Sequence, residues 1–136
     1  MDITRLLIKH EGMRLKPYRD TVGKLTIGVG RNLDDVGISE EEAILLLTHD
    51  IDLCEKQLSN LPWYQDISHV RKDVLIDMVF NMGFRGMLSF KRMIIAIENH
   101  NWTDAATQML DSKWAVQVGR RARELAYMME NDRYMT

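Results

Sequence analysis

Apolar residues recur in two rhythms along this chain, and the change of rhythm divides it. Residues 2–11 place Ile3, Leu6, Leu7 and His10 at i, i+3, i+4 and i+7, the spacing of an amphipathic helix. Asp2 is suited to cap its start. Gly12, which accepts a left-handed backbone, is suited to end it. The period then shortens. Leu15 and Tyr18 flank Pro17, which is unfit for a helix interior, so 14–20 reads as extended. Asp20 to Lys24 is a turn. Leu25, Ile27 and Val29 then alternate with Thr26, Gly28 and Gly30, the period-two pattern of a strand. The two glycines leave one side of that strand bare, which predicts a close approach there by another backbone or a ligand.

From residue 39 the helical rhythm returns and stays. After a polar loop at 32–37, Ser39 and Glu42 form a capping box. Ala43, Leu46, Leu47, Ile51, Cys54 and Leu58 then run without a breaker to Leu61-Pro62. A helix of about 20 residues spans roughly 30 Å, long enough to bridge two lobes. Ser68 is placed to cap a run with Val70, Val74, Leu75, Met78, Val79 and Met82 on one face, broken at Gly83 and Gly86. Ser89 is placed to cap a shorter run with Phe90, Met93, Ile94 and Ile97. Residues 99–101 connect to Trp102, Ala105, Ala106, Met109 and Leu110; a turn around Trp114 follows, then a last helix with Ala122, Leu125, Ala126 and Met129. The pattern predicts an α+β fold with segregated parts. A small antiparallel sheet lobe at about 13–38 is joined by a bridging helix at about 39–60 to a helical lobe at about 62–136. The N-terminal helix belongs with the helical lobe, and 1–136 forms a single domain.

Composition narrows the class without naming a function. At 46% hydrophobic and 28% charged the chain is globular rather than disordered. A net charge of −2 gives no support to nucleic-acid binding. No stretch approaches the roughly 18 apolar residues of a membrane span, so no stable membrane association is expected. The start of the sequence lacks the features of a secretory leader. A single cysteine, Cys54, excludes an intrachain disulfide and a multi-cysteine zinc site, and a reducing cytoplasm is the expected place of synthesis. The ten methionines fall mostly at core spacing and read as packing residues.

The candidate chemistry lies in the first 26 residues. Glu11, Asp20 and Thr26 put two carboxylates and a hydroxyl close together on the helix end and the hairpin. Glycoside hydrolysis needs two acids in different protonation states, one to protonate the leaving oxygen and one to act across the ring. The negative end of the helix dipole suits Glu11 to the role of the proton-holding acid, while the turn keeps Asp20 wetter. By spacing alone, surface acids on an ordinary hairpin are the better reading.

The motifs Glu11-Gly12, Leu15-Lys16-x-Tyr18-x-Asp20-Thr21 and Thr26-Ile27-Gly28-x-Gly30 resemble the active-site hairpin of the T-even phage-type lysozymes. Val79-Phe80-Asn81-Met82-Gly83, Trp102-x-x-Ala105-Ala106, Ser112-x-Trp114 and Arg121-Ala122 follow in the family's order, so that the resemblance covers residue 1 to about 126. It implies a lysozyme-like fold and a phage endolysin cleaving the bond between N-acetylmuramic acid and N-acetylglucosamine in peptidoglycan. Glu11 would be the general acid, and Asp20 and Thr26 would hold and activate water for an inverting attack. No metal or organic cofactor is implied.

By the same resemblance Asn32, Phe80, Met93 and Gln108 stand at substrate-binding positions, and Arg121 pairs with Glu11 from the far lobe. Gly28 and Gly30 support the hairpin. Asn32, Met93 and Gln108 depart from the residue types usual there. Arg31–Asp50 and His10–Glu124 are expected as ion pairs. The loop at 32–37 is shorter than in the best-known member, and the negative net charge predicts weaker attraction to an anionic wall. A monomer is expected, acting on the periplasmic wall after accumulating in the host cytoplasm and dependent on a separate holin. Two other readings stay open: a lytic transglycosylase, which uses no attacking water, and a non-catalytic peptidoglycan-binding module on the same fold.

Overall fold

The computed structural model describes residues 2–135. The chain forms two compact units, Met1–Leu46 and Leu47–Thr136.

The first unit opens with helix α1, Ile3–Glu11. The Asp2 carboxylate accepts from Arg5 N at its start, and Gly12 (φ 78°) ends it with a hydrogen bond to Ile8 O. A three-stranded antiparallel sheet follows in the order β1 (Arg14–Arg19), β2 (Leu25–Gly28), β3 (Arg31–Asn32). Tyr18 pairs with Thr26 and Arg19 with Leu25, but the register shifts between Arg14 and Tyr18. Pro17 lies in that interval and has no N–H to give to a ladder. The strand predicted through Gly30 stops at Gly28. Both Gly28 (φ 70°) and Gly30 (φ 69°) take the left-handed conformation, and the chain reverses between them. Asn32, expected in a loop, ends the short third strand and pairs with Thr26.

Helix α2, Glu40–Leu58, begins in the first unit and ends in the second. Its predicted capping box is present: Ser39 N donates to Glu42 Oε1 and Glu42 N to Ser39 Oγ, at 2.9 and 3.1 Å.

In the second unit a single 3-10 turn, Tyr64–Asp66, leads to α3, His69–Leu88, with Ser68 as its N-cap. Gly83, at φ 83°, interrupts α3 where a break was expected. Ser89 does not start the next helix. Its hydroxyl donates back to Gly86 O at 2.6 Å and closes α3, so α4 (Lys91–Glu98) begins after Phe90 without a side-chain cap. Asn101 caps α5, Trp102–Leu110. The expected turn around Trp114 is a short helix, α6 (Lys113–Val118), capped by Ser112. Helix α7, Arg120–Asn131, is last.

The core of this unit gathers Leu58, Val74, Leu75, Met78, Met87, Met93, Ile97, Met109, Leu125 and Met129. Six methionines, at 78, 87, 93, 109, 128 and 129, are buried among carbon neighbours, which agrees with the packing role read from their spacing.

Arg71 was not singled out from the sequence, yet it is only 8% exposed. Its guanidinium stacks 3.9 Å above the Trp102 ring. Nε and Nη2 donate to the carbonyls of Met129 and Glu130, satisfying acceptors that the end of α7 leaves free.

Candidate active site

Glu11 is the last residue of α1, and its carboxylate comes to rest against the β2–β3 turn. A Cβ placed on Gly30 would lie 2.9 Å from Glu11 Oε2. Half of the expectation for the bare strand face is thus met from within the chain: what approaches Gly30 is the acid itself. Around Gly28 the space is open.

Asp20 is fixed by its own turn. Its Oδ1 accepts from Val22 N at 3.0 Å and Lys24 N at 2.8 Å, while its backbone N–H donates to Lys24 O. Both side-chain bonds fall on Oδ1 and orient the carboxylate. Thr26 is 3% exposed. Its hydroxyl donates to Lys24 O at 2.9 Å, so the proton is committed and the remaining lone pairs can only accept. The turn Asp20–Lys24 therefore holds both side chains at once, each through Lys24.

Several neighbours unnoticed in the sequence brace this hairpin. Asp34 Oδ2 accepts from Leu25 N at 2.8 Å, and Lys24 pairs with Asp35 at 3.2 Å. Asn32 uses both ends of its amide on Asp35, donating to Oδ2 and accepting from the backbone N–H. Arg31, expected to reach Asp50, is held by Glu42 at 2.8 Å and also donates to Gly37 O. That Arg31 contact, with the Ser39 N–H, pulls the Glu42 carboxyl down to about 2. The capping box was the visible signal for Glu42; its second partner had none.

The remaining site candidates lie in the second unit. Met93 and Gln108 line one cavity of about 530 Å³, with Phe90, Ser112 and Trp114 among its other walls. Met93 is fully buried, so its side chain packs in the core. Gln108 donates to Asp104 at 3.2 Å one helical turn earlier. The Trp114 indole donates to Asn81 Oδ1 at 2.7 Å and meets Phe90 edge-on. Phe80 is 47% exposed. It shares a second cavity, of about 390 Å³, with Arg121, Asp77 and Ile76. Arg121, assigned by resemblance to Glu11, gives its Nε to Asp77 Oδ1 at 2.7 Å. Glu11, Asp20, Thr26, Gly28, Gly30 and Asn32 are thus gathered in one unit; Phe80, Met93, Gln108 and Arg121 belong to the other.

A short antiparallel sheet followed by a helical unit is the α+β arrangement of the lysozyme-like class. The chain belongs to the phage lysozyme family, whose model matches residues 8–129. It is 28% identical over 158 aligned positions to the probable T4-type lysozyme 1 of Dictyostelium discoideum, covering 94% of this chain and 93% of that protein. It is 27% identical to the pre-baseplate central spike protein Gp5 of Enterobacteria phage T4, over 95% of this chain and 28% of that protein. A SAR-endolysin of Bacteriophage PS119 is likewise 27% identical, over 90% of this chain and 74% of its own length. The chain is a lysozyme-type cell-wall hydrolase, and its substrate is peptidoglycan. Among the described residues no helix is long and apolar enough to cross a membrane.

Proposed function

We propose that this chain hydrolyses the β-1,4 bond between N-acetylmuramic acid and N-acetylglucosamine, with inversion at the anomeric carbon. Glu11, protonated, gives its proton to the leaving oxygen as the glycosidic bond breaks. Asp20 takes a proton from the attacking water, and Thr26 accepts a hydrogen bond from that water's other hydrogen. The products are an inverted hemiacetal and a free 4-hydroxyl, and exchange with solvent resets both acids. An inverting pair needs a separation of roughly 6.5–9.5 Å to admit the water.

The observation that supports this reading best is the commitment of the Thr26 proton to Lys24 O. A hydroxyl restricted to accepting orients a water's lone pair away from itself, while a pinned Asp20 accepts that water's other proton. A transglycosylase has no use for a water-holding pair. Asn32, Phe80, Met93 and Gln108 are proposed to shape the substrate site, Met93 by packing beneath the surface and Arg121 by supporting it through Asp77. A monomer acting as one domain, held in the host cytoplasm until a separate holin opens the membrane, completes the reading.

Incubation with purified sacculi tests it. Release of reducing muramic ends is expected. Loss of a general acid in Glu11→Gln should lower the rate by about 10²–10⁴-fold. Anhydro ends would assign the transglycosylase reaction instead, and no release by the unaltered protein would assign the binding module. Proton NMR of the first anomer formed reads the stereochemistry.

A further inference from the structure

We infer that Gly30 is a positioning residue for the acid, kept free of a side chain so that the Glu11 carboxylate can lie against the β2–β3 turn. The inference rests on the assignment of Glu11 as the general acid. A Cβ on Gly30 would stand 2.9 Å from Glu11 Oε2, 3.3 Å from its Cδ and 3.5 Å from its Cγ. Three successive atoms of one side chain therefore run along the place a methyl group would fill.

Gly28 supplies the contrast. Its φ is +70°, against +69° at Gly30, yet nothing lies within 4 Å of a Cβ built there. Left-handed backbone alone accounts for glycine at 28. At 30 the same backbone demand is joined by a second one, and the second is set by Glu11.

Both ends of the contact are anchored. Glu11 closes α1, and the next N–H, that of Gly12, is bonded to Ile8 O at 2.8 Å. Gly30 is followed by Arg31, which is tied to Glu42 and to Gly37 O. With helix end and turn both held, a methyl group at 30 is relieved mainly by moving the carboxylate, the free end of the Glu11 side chain. A catalytic group tolerates about 0.5 Å of displacement before the productive geometry is lost. The acid acts in the bond-breaking step, so the loss falls on kcat rather than on KM.

Gly28→Ala and Gly30→Ala, compared side by side, test this. Each places alanine at nearly the same φ, so the backbone strain is shared and only the second meets Glu11. On sacculi, Gly30→Ala is expected to turn over about tenfold or more slowly than Gly28→Ala, with similar KM. The Glu11 side-chain carboxyl ¹³C resonance is expected to move in Gly30→Ala and to stay in place in Gly28→Ala. Gly30→Asn, in which the residue tolerates left-handed backbone better than alanine, repeats the test if the alanine variant folds poorly. Equal kcat in the two alanine variants, or an unmoved Glu11 resonance on substitution at 30, overturns the inference. The resonance is read without turnover. A Glu11→Gln variant of full activity would instead overturn the acid assignment, and the two failures are told apart.

Discussion

Among the described residues of the first unit no hydrophobic side chain is buried, and Thr26 is its one buried residue. The second unit buries a continuous set of leucines, methionines and alanines from α3, α4, α5 and α7. The first is fixed by directional bonds: the Asp20 turn, Asp34 on Leu25 N, Asn32 with Asp35, and Arg31 with Glu42. Apolar packing sets volume and tolerates exchange among residues of similar size. Hydrogen bonds set angle and distance at named atoms. Asp20 and Thr26 take their directions from hydrogen bonds to Lys24, and Glu11 lies against Gly30 in the same unit.

The largest expected effect sharpens that contrast. Leu75 is completely buried in the second unit. Leu75→Ala should cost about 2–5 kcal/mol of that unit's stability. Urea unfolding measures the loss, and amide exchange in β1 and β2 should be unchanged. Loss of hairpin protection together with the core would break the comparison.

A smaller effect concerns the Arg31–Glu42 pair. The folded carboxyl titrates at about 2 against an ordinary 4.5. A carboxyl lowered on folding adds stability that is complete above 4.5 and fades as the pH falls through about 2. Glu42→Gln should therefore weaken hairpin protection at neutral pH and flatten its decline between those two values. Hydrogen exchange of the β2–β3 amides at several pH values measures it. Because both partners face solvent, added salt should narrow the difference between the two proteins.

The smallest effect lies at Tyr64, buried with a hydroxyl that has no protein partner among the described residues. Burial pushes its phenol up to about 12. Tyr64→Phe removes an unpaired polar atom from an apolar site, so thermal unfolding should show stability unchanged or raised by up to about 1 kcal/mol. A clear loss would mean that the hydroxyl is bonded rather than unpaired.

The same contrast explains what was legible in the chain. Gly12 at the end of α1, the Asp20 turn and the Ser39–Glu42 box are local arrangements, and each showed in the sequence because neighbours a few residues apart decide it. The family motifs singled out Glu11, Asp20 and Thr26, which the fold gathers in one unit. What stayed hidden is settled at a distance or by competition. A serine before a helix can also close the previous one, as Ser89 does. Arg31 had several acids to choose from and took Glu42. Met93 stood at a substrate position in the pattern, and the fold buries it in the core. The acid Arg121 would meet was assigned by resemblance, and Asp77, which takes its Nε, was not marked by any motif.

Arg71 has a consequence for the order in which the molecule is made. Its acceptors, the carbonyls of Met129 and Glu130, lie 58 and 59 residues further along the chain. The hairpin, by contrast, needs only the first few dozen residues. On a ribosome adding about 5–20 residues per second, the hairpin residues are made several seconds before residues 129 and 130. The buried arginine must wait for Met129 and Glu130. Until then its guanidinium lacks both of those carbonyl acceptors.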